Sequence, residues 1–387
     1  MKAKSIKGSS TEEIKIALEK SLSDNFKPTL AIVFISIKQD RKAVCDLLNY
    51  EGIEIFGATS CGEFTEEHES KGELVILLMD MPKDCFKIIY KEVNDDKIIN
   101  VSRAIAEEAL QVFTNPAVII CTTGLNLKEE YFDGESLSNG ISQTLGVNKF
   151  FTGGMAGDDF MLKGSYVFTH QKETDYGILA LVLDNDKIET NGMAITGWQP
   201  LGIARTVTKS KGNLLYTLDD KSALDMYFKY LGKGEKTNDR DFKIFDELGI
   251  HYPFIVKRKN GGTILRTPMK VNREENALEM DIEIEEGTKL WFSVPPDFDI
   301  ADTIISEAKE LKENNKIEAE ALLIFSCAGR VNVLGPLTQN ENNGLQKLFD
   351  APLAGFYTYG EYGREKNHNN EFHSGACSWV TISEKKL

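Results

Sequence analysis

The chain has 387 residues, of which 41% are hydrophobic and 27% charged, and a formal net charge of −15. That is the composition of a globular protein long enough for two domains. The acidic balance, with no Lys/Arg cluster above background, excludes nucleic acid and an anionic membrane surface as expected partners.

No run of about 20 apolar residues asks for a membrane-spanning helix, so no membrane insertion is expected. The basic N-terminus at Met1–Gly8 lacks the apolar core of a secretory signal. The six cysteines, Cys45, Cys61, Cys85, Cys121, Cys327 and Cys377, are scattered without a Cys-x-x-Cys pair. They read as reduced thiols in a cytoplasmic protein.

From the N-terminus, Ser10 and Thr11 offer N-caps for a helix to about Ser23, with Glu13 at capping-box spacing and Ile14, Leu18 and Leu22 on one face. Thr29–Ser36 is apolar without alternation, as in a strand covered on both faces. A helix over Asp40–Asn49 and a short strand over Ile53–Phe56 follow, then a buried strand over Glu73–Met79. The order recurs: a helix at Ile98–Val112, a strand at Pro116–Thr122, a helix at Gly134–Leu145, a strand into Thr152, and a strand at Tyr176–Leu183. It recurs again near the C-terminus: a helix at Asp299–Asn314, a strand at Glu320–Ser326, a helix at Asn340–Phe349, a strand at Pro352–Phe356, and a strand at Cys377–Ser383.

This pattern predicts an α/β fold: mixed, largely buried sheets with helices, built from repeated helix-strand-helix-strand-turn-strand units in two domains. The stretch between the second and third units reads differently. It has short strands from Ile188 onward, a helix over Asp220–Leu231, a polar loop at Gly232–Arg240 and further strands to Val294. The domain boundary is placed at 220, giving domains 1–220 and 221–387.

Each unit carries a glycine-rich turn with an acid. The first reads Gly57-Ala-Thr-Ser60-Cys61-Gly62-Glu63 and the last Gly355-Phe-Tyr357-Thr-Tyr359-Gly360-Glu361. A looser copy reads Gly153-Gly154-Met-Ala-Gly157-Asp158-Asp159. Glycine permits positive φ and close approach, so the three turns are expected to wall one ligand site near the boundary of the halves. Arg330 follows a buried strand, where ligands collect in parallel sheets, and could hold a carboxylate. Glu63, Asp158, Asp159 and Glu361 could receive an ammonium, or could tie the turns to backbone N–H groups. Tyr357 and Tyr359 could stack on the ligand or pack in the core.

The first half resembles the FIST N domain, through its Gly57–Glu63 and Gly153–Asp159 turns and Gly197-Trp-Gln-Pro-Leu-Gly202 followed by Val207-Thr208. The second half resembles the FIST C domain, through Phe325-Ser-Cys-Ala-Gly-Arg330 and Pro352–Glu361. The resemblance, to the F-box and intracellular signal transduction proteins, implies a sensory module that binds a small ligand, amino acids being the leading suggestion. Family members often carry their own output domains. None is read in this sequence, so the expected partner is a separate signalling output protein or the chain's own oligomer.

An enzyme is the alternative: a thiol-dependent hydrolase or transferase using Cys61, with His68 as base, or Cys327. No nucleophile–base–orienter set supports it, and a non-catalytic sensor is favoured. No cofactor is expected. His368 and His373 with Glu371 have a spacing that invites a metal, but they lie in a polar loop with no periodic scaffold. Gly153-Gly-x-x-Gly157 lacks the order of a dinucleotide fingerprint.

Overall fold

A computed structural model describes residues 1–234, 239, 241–258, 262–366 and 369–386. Part of the loop expected at 232–240, and His368, lie outside the described residues. The chain forms two compact units: residues 1–195, 300–330 and 336–387 make the first, and 196–299 with 331–335 the second. The fold is mixed α/β as expected, and these units cut the chain at places other than residue 220.

The first unit holds three six-stranded sheets. In order, the first runs Ala3–Gly8, Leu74–Met79, Leu30–Ser36, Glu54–Ser60, Val167–Phe168, Glu173–Thr174. The second runs Phe86–Glu92, Gly177–Asp184, Pro116–Thr122, Phe151–Met155, Glu361–Arg364, Asn370–His373. The third runs Ile188–Ile195, Cys377–Glu384, Ala321–Cys327, Leu353–Thr358, Glu63–Thr65, His68–Ser70. In each sheet the two middle strands are parallel and every other pairing is antiparallel.

The last two strands of every sheet are a hairpin on loan. The hairpin at 63–70 leaves the first sheet for the third, that at 167–174 leaves the second for the first, and that at 361–373 leaves the third for the second. The exchange is cyclic.

The unbroken apolar runs now have their reason. Side chains alternate across a strand. Leu30, Ile32 and Phe34 point into a core shared by all three sheets. Ala31, Val33 and Ile35 point the other way, onto Ile14, Leu18, Val44 and Leu48 of the flanking helices. At the centre Phe34, Phe325 and Phe356 pack with ring centroids 4.4–6.0 Å apart.

Ile188–Ile195, read from sequence as part of the differing stretch, is an edge strand of the third sheet. The second unit is one antiparallel sheet of eight strands. It is covered by the helix Ala223–Tyr230 around a core rich in Tyr227, Phe228, Phe254 and Phe292.

Candidate functional site

Because each hairpin crosses to another sheet, the chain leaves each second parallel strand through a turn at its carboxyl end. The three turns meet there and are joined pairwise by backbone hydrogen bonds. Cys61 N–H donates to Tyr357 O at 2.9 Å and Tyr357 N–H to Gly62 O at 2.8 Å. Gly157 N–H donates to Thr59 O and Asp159 N–H to Ser60 O, both at 2.9 Å. Met155 N–H donates to Gly360 O at 2.8 Å and Tyr359 N–H to Met155 O at 3.2 Å. Side chains meet as well: the Tyr359 hydroxyl bonds Asp158 Oδ1, and both lie beside the Cys61 thiol.

The glycines serve close approach more than special φ. Gly57 and Gly355 lie inside strands and do not have positive φ, so the expectation of positive φ there is corrected. The reason is the incoming hairpin. Phe168 pairs with Gly57 and Phe64 with Gly355, and each ring fills the space of the missing Cβ. Gly62 and Gly153 do take positive φ, at 140° and 148°. At Gly154, Gly157 and Gly360 an added Cβ would meet Thr358, Cys61 and Phe372 within 2.5 Å.

The acids mostly tie the turns. Glu63 Oε1 accepts from Ser60 Oγ, and its Oε2 from Glu73 N–H at 3.3 Å and Ser70 Oγ at 3.4 Å. Glu361 repeats the arrangement, accepting from Thr358 Oγ1 and, at 2.9 Å, from Ala376 N–H. Burial pushes both carboxyls up to about 8 from an ordinary 4.5. Their hydroxyl and amide donors oppose the rise, and Asp159 adds to it at Glu63. Asp158 accepts from the N–H groups of Leu162, Lys163 and Gly164 at 2.6–3.0 Å. That pins a loop in which Asp159, Phe160 and Leu162 all have left-handed φ of 54–63°. Such backbone is costly for bulky residues. Asp159 bonds Ser36 Oγ at 2.8 Å and Lys38 Nζ at 2.9 Å.

Arg330 is brought near Glu361, but its guanidinium is taken up elsewhere. It bonds both oxygens of Glu341, which is fully buried as Arg330 itself is, and, at 2.8 Å, Gly375 O. Tyr357 is buried against Phe64, with ring centroids 5.1 Å apart, and its hydroxyl accepts from Asn342 Nδ2 at 3.4 Å. Cys61 is 1% exposed, and burial pushes its thiol up to about 12. The Cys327 thiol is pushed up for the same reason. His68 bonds Glu73 through Nε2 at 2.8 Å, and His373 is buried with Nε2 3.2 Å from Gly363 O.

Sequence reasoning missed Ser36, Lys38, Glu341 and Asn342. Ser36 had a signal, as the polar end of a buried strand with Lys38 two residues further on. Glu341, eleven residues past Arg330 on the helix Leu337–Phe349, had none.

Residues 29–221 match the FIST N domain and residues 223–364 the FIST C domain. The chain therefore belongs to the FIST family, whose domains are associated with sensing in signal transduction. An uncharacterized protein of Methanocaldococcus jannaschii is 27% identical over 196 residues. The match takes in 49% of this chain and 36% of that protein, so the chain spans little more than a third of its relative.

Proposed function

We propose that this FIST-family chain is a sensory protein of intracellular signal transduction. On this reading it binds an amino acid or related metabolite in the cytoplasm, at the junction of its three glycine turns. The observation that carries the reading is the set of backbone bonds joining those turns pairwise, with Tyr359, Asp158 and Cys61 brought together from the three of them. A ligand seated there touches segments from all three sheets at once, so its binding energy bears on how they hold together. A separate protein would receive the signal.

The thiol-enzyme reading is the weaker one. A thiol near 12 is not a nucleophile at neutral pH, and His68, the base once paired with it, is engaged by Glu73.

The test is a thermal-shift screen against amino acids and related metabolites. A ligand at a hundred times its Kd raises stability by about 2.7 kcal/mol. At least one compound is expected to shift the wild type, and to shift Tyr359→Ala less. A screen with no shift sinks the reading.

A further inference from the structure

Of the four acids the turns present, three have both oxygens engaged by the fold. Glu63, Asp158 and Glu361 accept hydroxyl or backbone donors on each oxygen. Asp159 differs. Its side chain is 7% exposed and its Oδ2 faces Ser36 and Lys38, but Oδ1 is buried with no partner. Native folds rarely keep a buried carboxylate oxygen without a donor.

We propose that Asp159 Oδ1 receives the ammonium of a small primary-amine ligand, and that Lys38 swings from Asp159 to the ligand's carboxylate when there is one. The inference rests on the ligand-sensing reading above and names the group by which the ligand is recognised.

Four observations support it. The carboxylate already holds an ammonium, that of Lys38, 2.9 Å from Oδ2. Lys38 is the movable partner, with its side chain 65% exposed, whereas Asp159 is fixed in a left-handed stretch at φ 55°. The position is that of a ligand site, because Ser36 and Ser60 end the parallel pair of the first sheet and Asp159 bonds one and donates to the other. The surroundings suit a cation. The neighbouring Phe160 ring has the Lys71 ammonium 5.6 Å from its centroid. A metal ion is the poorer occupant, because hard cations need several oxygen ligands. Among the described residues no group of three His, Cys, Asp or Glu is placed to supply them.

The test is calorimetric titration of the full chain with the common L-amino acids. Each is run beside its N-acetyl derivative and the 2-oxo acid of the same skeleton, and putrescine serves as an amine without a carboxylate. A free amine is expected to bind at least about tenfold tighter than its N-acetyl and oxo counterparts, and Asp159→Asn to lose at least about tenfold for the amine. Lys38→Met is expected to weaken the amino acid and spare putrescine. The wild-type comparison stands even if a variant fails to fold. Equal binding of the N-acetyl or oxo compound overturns the inference and leaves ligand sensing intact. A panel in which nothing binds overturns both.

Discussion

Phe168 occupies the place of a side chain that Gly57 does not have: a Cβ there would lie 2.2 Å from the phenyl Cε2. Phe64 stands in the same relation to Gly355, at 2.1 Å. In both pairs the aromatic belongs to a hairpin borrowed from another sheet and the glycine to the strand that receives it. The motif glycine thus seats a foreign strand.

Gly57→Val and Gly355→Val are therefore expected to lose stability. Overpacking a core typically costs about 1–3 kcal/mol, sometimes more. Gly234→Val, where an added Cβ meets nothing within 4 Å, is expected to stay within about 0.5 kcal/mol of wild type. Chemical denaturation of the three variants checks this, and equal losses would refute the seating role. Phe168→Ala combined with Gly57→Val should lose less than the two single losses summed, because one change makes room for the other.

Arg330 and Glu341 are both fully buried and bonded to each other. Arg330→Met alone leaves a buried carboxylate without its cation, for which about 3–5 kcal/mol is typical. Arg330→Met with Glu341→Leu is expected to recover most of that. If the single variant folds with wild-type stability and loses only ligand binding, the pair is not structural.

Glu63 and Glu361 give the fold a signed pH dependence. Their folded values near 8 lie above the ordinary 4.5, so between these limits the folded chain holds more protons than the unfolded one. Their contribution to stability is greatest below pH 4.5, falls as pH rises toward 8, and is flat above it. Glu63→Gln and Glu361→Gln are expected to remove that fall, gaining on wild type as pH rises. Melting temperatures from pH 5 to 9 decide, and a gap between wild type and variants that does not change with pH would contradict the assignment.

The thiols are expected to be quiet. Cys61 is buried with its thiol near 12, while Cys327 is the least covered of the six cysteines. Native protein treated with iodoacetamide at pH 8 should label slowly, Cys327 first and Cys61 only on unfolding. Mass spectrometry that finds Cys61 modified in the native state would reopen the enzyme reading.

What the sequence disclosed follows from burial. Leu30–Ser36, Pro116–Thr122 and Ala321–Cys327 are covered on both faces, so their uninterrupted apolar runs were readable. The strands Ala3–Gly8 and Phe86–Glu92 escaped, because lysines interrupt them as they do many strands near a sheet's edge. Val167–Phe168 is too short to have a period, and its partner Ala58 lies over a hundred residues earlier. The Ser60–Glu63 and Thr358–Glu361 spacings were on view, yet whether such an acid ties a turn or meets a ligand depends on the count of donors around it. For Asp159 that count comes out one short, a fact of three dimensions alone.

The borrowed hairpins also set a timetable. Thr65 Oγ1 reaches the carbonyl of Leu353, 288 residues further on. At translation speeds of about 5–20 residues per second, the hairpin at 63–70 waits roughly 15–60 s after leaving the ribosome for the strand it completes. Through that interval the second sheet also lacks its outer strands, Glu361–Arg364 and Asn370–His373. The nascent chain is thus a set of open β edges until its last residues arrive, the condition in which a chaperone is most needed and a C-terminal truncation most apt to aggregate.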